Sequence, residues 1–220
     1  MDISLMLTSL PKLLGAAVVT LKLLSLSLFF GIFIGLLFAI LRLSKNPFIN
    51  KFAYGYSYLF RGTPLLVQIF IIYFGLGQVE YFRSTFLWVV FKEPYWCAII
   101  AFALNTGAYT SEILRSAFQT IKPGIIEAGK SLGISNKIIF PQMLRLAIPN
   151  LSNVWQITLK DTSLISVTGL VEIMRQSYIA AGSTRDPLFF YSFAAVLYLL
   201  LTFISMKLIN KLEVKYSRGY

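Results

Sequence analysis

Four stretches of the chain are apolar and uncharged over nearly the length a membrane helix requires, about 20 residues for a ~30 Å hydrocarbon core. They are residues 23–41, 62–79, 94–111 and 187–206. The second is extended upstream by an aromatic segment, 52–60, and Lys22 sits at the outer end of the first, where it can snorkel. A weaker fifth stretch runs over 146–159, meets Lys160 and Asp161, and resumes over 162–171. The pattern predicts an all-α membrane protein. Residues 1–14 read as a short interfacial helix broken at Pro11, and 86–91, with Trp88, as a second interfacial piece. The chain opens with Asp2 rather than a basic region, and its first apolar run is too long for a cleavable signal peptide. No loop is long enough for a separate soluble domain, so residues 1–220 read as one transmembrane domain with a longest loop at about 116–145.

Composition agrees with this pattern. Apolar residues make up 57% of the chain and charged residues 13%, against roughly 45–50% and ~25% in soluble domains. Too few polar side chains exist to dress a water-facing surface. A disordered chain, a secreted disulfide scaffold and an ordinary cytosolic enzyme are excluded. With no histidine and a single cysteine, Cys97, the chain can build no histidine-based triad or metal site, no intrachain disulfide and no cysteine cluster. No cofactor or metal is expected.

Charge sets the topology. The formal net charge is +11, which in a soluble protein would suggest nucleic acid. In an apolar chain it reads as the excess of Lys and Arg in cytoplasmic loops. If the weak stretch spans, there are five transmembrane helices. Thirteen basic residues then share one side: Arg42, Lys45, Lys51, Arg61, Arg115, Lys122, Lys130, Lys137, Arg145, Lys207, Lys211, Lys215 and Arg218. The other side carries six, namely Lys12, Lys22, Arg83, Lys92, Arg175 and Arg185. Four spans separate the charges less well. The five-helix arrangement places the N-terminus outside and the C-terminus in the cytoplasm, and no nucleic-acid partner is implied.

Within the first span, Ser27, Gly31, Gly35 and Ala39 form a small-residue stripe. Such stripes let helices approach closely; intrachain packing is preferred here over a subunit interface.

The cytoplasmic loop admits two readings. Residues 124–131, Gly-Ile-Ile-Glu-Ala-Gly-Lys-Ser, match the phosphate-binding pattern G-x-x-x-x-G-K-[ST]. That reading needs a preceding strand, and Lys122 and Pro123 stand there instead. The alternative is a short amphipathic helix begun by Pro123 and ended by Gly133, with Ile125, Ile126, Gly129 and Leu132 on one face. Such a helix suits a partner's groove or the membrane surface.

Polar residues at membrane depth are costly unless paired or wetted, and they mark paths. The candidates are Asn105, Thr106, Glu112, Lys160, Asp161, Thr162, Ser163 and Ser166. Glu112 and Arg115 are three apart and can pair near a helix end. Arg61, Gly62, Thr63 and Pro64 read as a helix-start turn first and a gate second, at the cytoplasmic start of the second span.

The motif Glu127-Ala128-Gly129-x3-Gly133, with Pro141 beyond it, resembles the "EAA" loop of permease subunits of binding-protein-dependent ABC importers. Residues 60–68 (Phe-Arg-Gly-Thr-Pro-Leu-Leu-Val-Gln), Tyr73-Phe74-Gly75, 104–109 (Leu-Asn-Thr-Gly-Ala-Tyr) with Glu112 and Arg115, and 160–164 (Lys-Asp-Thr-Ser-Leu) resemble the polar amino-acid branch. The resemblance covers about residues 17–213. It implies a bacterial inner-membrane protein with five helices and its N-terminus outside. It also implies a second permease subunit, separate ABC ATPase subunits and an extracytoplasmic substrate-binding protein. The substrate would be a polar amino acid such as glutamine, arginine or histidine. The chain would not itself be an enzyme; a cytoplasmic coupling helix between the third and fourth spans would dock on the ATPase through Glu127, Ala128, Gly129 and Gly133. Two departures stand out. Gly129 replaces the usual second alanine, at about 1 kcal/mol of helix stability. The spacing from Gly133 to Pro141 is about five residues short, about 140° of helical rotation, which shortens or reorients the second half of the coupling element. A passive channel and a nucleotide-binding membrane protein using residues 124–131 are the competing readings.

Overall fold

The computed structural model describes residues 3–217, so Asp2 and Arg218 lie outside the described residues. Helix α1 (Ile3–Arg42) is continuous through Pro11. The expected short interfacial helix broken at Pro11 is therefore corrected. A proline removes one backbone donor and does not end a helix whose flanking turns remain bonded. At 40 residues α1 is about 60 Å long, twice the hydrocarbon thickness.

Asn46 starts α2 (Pro47–Gly62): its side chain accepts from the Phe48 and Ile49 amides, and Pro47 occupies the first turn. The aromatic segment upstream of Gly62 is thus a helix in its own right. After Thr63 and Pro64 the chain enters α3 (Leu65–Phe70), which continues as a π turn (Ile71–Gly75) and a 3-10 turn (Leu76–Gln78). The two halves meet at 103°. Two single-turn helices, α4 (Glu80–Arg83) and α5 (Trp88–Phe91), lead to α6 (Pro94–Thr120). Helix α7 (Pro123–Ser131) and helix α8 (Ser135–Asp161) follow. A 3-10 stretch (Thr162–Thr168) then ends at Gly169, whose φ of 88° is left-handed. Helices α9 (Ile173–Thr184) and α10 (Pro187–Ser217) complete the chain.

Among the described residues three helical segments are long and apolar enough to cross a membrane: Thr8–Arg42, Pro94–Thr120 and Pro187–Lys211. The bent pair of α2 and α3 makes a fourth. The stretch expected as a fifth span falls on α8 and the 3-10 stretch. Lys160 and Asp161 end the helix there, and the resumption is a tighter coil closed by Gly169.

The centre of the fold is the α1–α6 pair. A side-chain carbon placed on Gly31 would overlap the Thr106 hydroxyl, and one placed on Gly35 would lie 2.5 Å from Thr110. The small-residue stripe is thus an intrachain seam. Around it Leu23, Ile69, Ala98, Phe102 and Ile165 form one buried cluster, joining α1, α3, α6 and the 3-10 stretch.

Candidate functional site

The bend between α2 and α3 builds the site. A residue before proline is driven from the helical region, and Thr63 is extended at φ −112°, ψ 144°. Breaking the helix frees backbone carbonyls, which must find donors inside a membrane protein. Gln68 Nε2 donates to the Phe60 and Thr63 carbonyls at 2.8 and 3.0 Å. Asn105 Nδ2 reaches across from α6 to the Phe60 carbonyl at 2.9 Å and to Gln68 Oε1 at 3.3 Å. Two amide side chains therefore hold the bend open.

Against this bend lies a cavity of about 460 Å³, closed by α6, the end of α8 and the 3-10 stretch. That is within the ~300–1,000 Å³ typical of small-molecule sites. Its polar lining includes Arg61, Thr63, Asn105, Thr106, Tyr109 and Asp161. The Arg61 guanidinium sits 5.4 Å from the Tyr109 ring centroid, a cation–π contact. The ion pairs among the described residues are Arg42–Glu112 and Arg115–Glu112; neither Arg61 nor Asp161 belongs to them. The cavity thus presents one cation and one carboxylate, each available to a guest. Arg61, near the end of α2, stands level with Tyr109 in the middle of α6.

The path candidates separate. Asn105, Thr106 and Asp161 share the cavity with Arg61, Gly62, Thr63 and Pro64. Glu112 lies elsewhere: it joins Arg42 of α1 at 3.0 Å and Arg115 at 2.8 Å. Lys160 and Ser163 line a different groove, with Tyr191 and Tyr198 of α10. Thr162 is buried and its hydroxyl donates to the Leu159 carbonyl. The Ser166 carbonyl accepts from Gly169 at the close of the 3-10 stretch.

The loop motif is helical. Ile125 and Ile126 are half-buried and Gly129 is buried, while Glu127, Ala128 and Lys130 are exposed. Leu132, expected on the buried face, is 69% exposed, because the helix has ended and the chain turns there. The turn is a Schellman motif: Ile134 N donates to the Gly129 carbonyl, Gly133 N donates to the Lys130 carbonyl, and Gly133 has φ 65°. Helix α8 begins two residues later and carries Pro141 in its interior. The phosphate-binding alternative fails on this geometry. Helical amides face their own carbonyls, and Ser131 Oγ donates to the Glu127 carbonyl at 3.0 Å.

Three side chains outside the sequence candidates complete the picture. Gln68, an amide in an apolar run, and Tyr109, one turn beyond Asn105, stand inside the segments that carry the resemblance but were not among the site candidates. Glu172 is fully buried. It caps α9 through the Met174 and Arg175 amides and accepts from Tyr198 Oη at 2.8 Å.

The family described as binding-protein-dependent transport system inner membrane component matches residues 31–217. The nopaline transport system permease protein NocM of Agrobacterium fabrum is 41% identical, over 97% of this chain and 91% of its own length. The arginine ABC transporter permease protein ArtQ of Haemophilus influenzae is 36% identical, over 92% of each. Among solved structures, an amino acid ABC transporter crystallised with histidines superposes with a TM-score of 0.84 at 30% identity, covering 98% of this chain and 99% of that one.

Proposed function

The chain belongs to the family of binding-protein-dependent transport system inner membrane components, and on that premise we propose how its parts divide the work of import. It is a multi-pass bacterial inner-membrane permease subunit of an amino-acid ABC importer, and ATP hydrolysis resides on partner subunits.

We propose five spans: α1, the bent α2–α3 pair, α6, the C-terminal part of α8 with its 3-10 stretch, and α10. The charge asymmetry supports an outside N-terminus. With α2 counted as part of a span, Arg61 joins Lys160 at depth, and twelve basic residues remain on the cytoplasmic side against six outside. Helix α7 then projects into the cytoplasm and offers Glu127, Ala128 and Lys130 to an ATPase, while buried Gly129 seats α7 on α8 and Gly133 sets its exit. A second permease subunit and an extracytoplasmic binding protein complete the assembly.

The cavity is the translocation path, and the single observation that carries this reading is Arg61 and Asp161 on its walls, neither in an ion pair among the described residues. Arg61 suits a carboxylate through its planar fork of donors, and Asp161 suits a cationic side chain. The substrate is a polar amino acid of the arginine type, which the name of the Haemophilus relative supports. ATP binding and hydrolysis on the partners shift the populations of two cavity conformations. Uptake by the reconstituted importer tests this. Arginine should be preferred over its uncharged isostere citrulline by about tenfold or more, as expected for loss of a charged hydrogen-bond partner. Equal uptake of the two, or uptake unaffected by withdrawal of ATP, contradicts the reading.

A further inference from the structure

At the α7 end of the molecule the helices α1, α6 and α8 pack through Ala39, Leu114, Ala117 and Ala147 but do not close fully beside that contact. They leave a groove of about 660 Å³ lined by Ile40, Leu43, Leu114, Phe118, Phe140 and Met143, with Lys137 as its one charged residue. No acidic side chain lines it. The groove opens onto the outer face of α1, where Phe29, Phe33, Leu37 and Ile40 are large, apolar and each more than half exposed. That face lies along the C-terminal part of the apolar segment of α1, so it is in contact with acyl chains when the helix crosses the bilayer. Lys45 follows just beyond the end of α1, and is exposed.

We infer that this groove holds an acyl chain of an anionic phospholipid, with the headgroup phosphate on Lys137. Three observations point to a lipid rather than a protein occupant. The groove is continuous with the bilayer-facing surface, so a chain can slide in sideways. Its single cation lies among residues of the first turns of α8, beside the loop that leaves the apolar layer. The absence of acid at the lining leaves nothing to repel a phosphate. Basic pockets between transmembrane helices on the cytoplasmic side bind anionic headgroups for these reasons. A lipid seated there would fill the gap between α1 and α8 directly behind α7, and so brace the base of the coupling element.

The test uses the assembled importer in nanodiscs of phosphatidylcholine and phosphatidylglycerol in equal parts, followed by native mass spectrometry. The wild type should retain phosphatidylglycerol preferentially. Lys137→Gln should lower the retained phosphatidylglycerol by about fivefold, the equivalent of the roughly 1 kcal/mol one lysine supplies beside an anionic lipid. Lys51→Gln, on exposed α2, should leave retention unchanged, as should added glycerol phosphate. A photoreactive phenylalanine analogue at Phe140 should cross-link to lipid. Cross-linking to a protein subunit, or equal phosphatidylglycerol retention by Lys137→Gln and wild type, overturns the inference. Nanodiscs expose both leaflets alike, so the result does not depend on the orientation proposed above, which accessible tags at Gly182 and the C-terminus decide separately.

Discussion

The two sides of α6 solve the problem of polar groups in an apolar layer differently. On the α1 side, Thr106 and Thr110 lie against glycines, and Thr106 spends its hydroxyl on the Phe102 carbonyl at 2.8 Å. The neighbouring Ser111 does the same with Ala108 and meets Ser57 Oγ of α2 at 2.9 Å. These hydroxyls find their partners inside the protein, so the seam is closed. On the cavity side, Asn105 also spends its amide on backbone, but Arg61 faces only an aromatic ring and Asp161 enters no ion pair among the described residues. Charge left unpaired at depth is expensive, and a folded protein keeps it where a guest or water completes it. The difference teaches which polar residues around α6 hold the fold and which are free for transport.

The largest effect should follow from closing the seam. Gly31→Leu drives a side chain into Thr106, and overpacking of this kind costs about 3 kcal/mol; the importer should fail to accumulate or lose Tm sharply in thermal-shift measurements. Normal abundance and Tm would break the comparison on its structural side. Next comes Asp161→Asn, which should lower arginine uptake by about 100-fold, as removal of a charged hydrogen-bond partner costs about 1.5–3 kcal/mol, while Tm and assembly stay as in wild type. Glu112→Gln tests the opposite case. It leaves Arg42 and Arg115 without their shared carboxylate and should cost about 1–3 kcal/mol of stability, with the KM for substrate unchanged. Smaller still is Glu127→Ala on exposed α7. It should weaken co-purification of the ATPase and raise no stability cost beyond about 0.5 kcal/mol. At the bottom stands Gly55→Ala, where nothing lies within 4 Å of an added side-chain carbon. A helix-interior change of this kind should stabilise by about 0.5–1 kcal/mol, and it calibrates the seam glycines.

Much of this could be read from the residues themselves. Pro123 and Gly133 bracket α7, because a first-turn proline and a left-handed glycine leave local marks. The long spans were legible from apolar runs, and the α1 stripe from its four-residue spacing. Helix α2 was not read as an independent helix, although Asn46-Pro47 is a start signal, because its aromatic residues blurred into the apolar run that follows. The role of Gln68 was hidden for another reason: its partners are carbonyls freed by a bend of 103°, and a bend is a tertiary event. Glu172 is the clearest case. A glutamate after an apolar stretch reads as a helix boundary, but its burial depends on Tyr198, twenty-six residues away. Pro11 gave the reverse error, since local rules end helices at proline while α1 continues through it.

The central claim, that the cavity beside the α2–α3 bend is the path, is tested most directly by cysteine accessibility. Ile157 lines the cavity and is 52% exposed, and Cys97, the one cysteine of the chain, is buried. In the assembled importer carrying Cys97→Ala and Ile157→Cys, a membrane-impermeant thiol reagent should label position 157, and arginine with trapped ATP should protect it. Labelling that substrate and nucleotide leave unchanged, or no labelling in any state, would contradict the assignment.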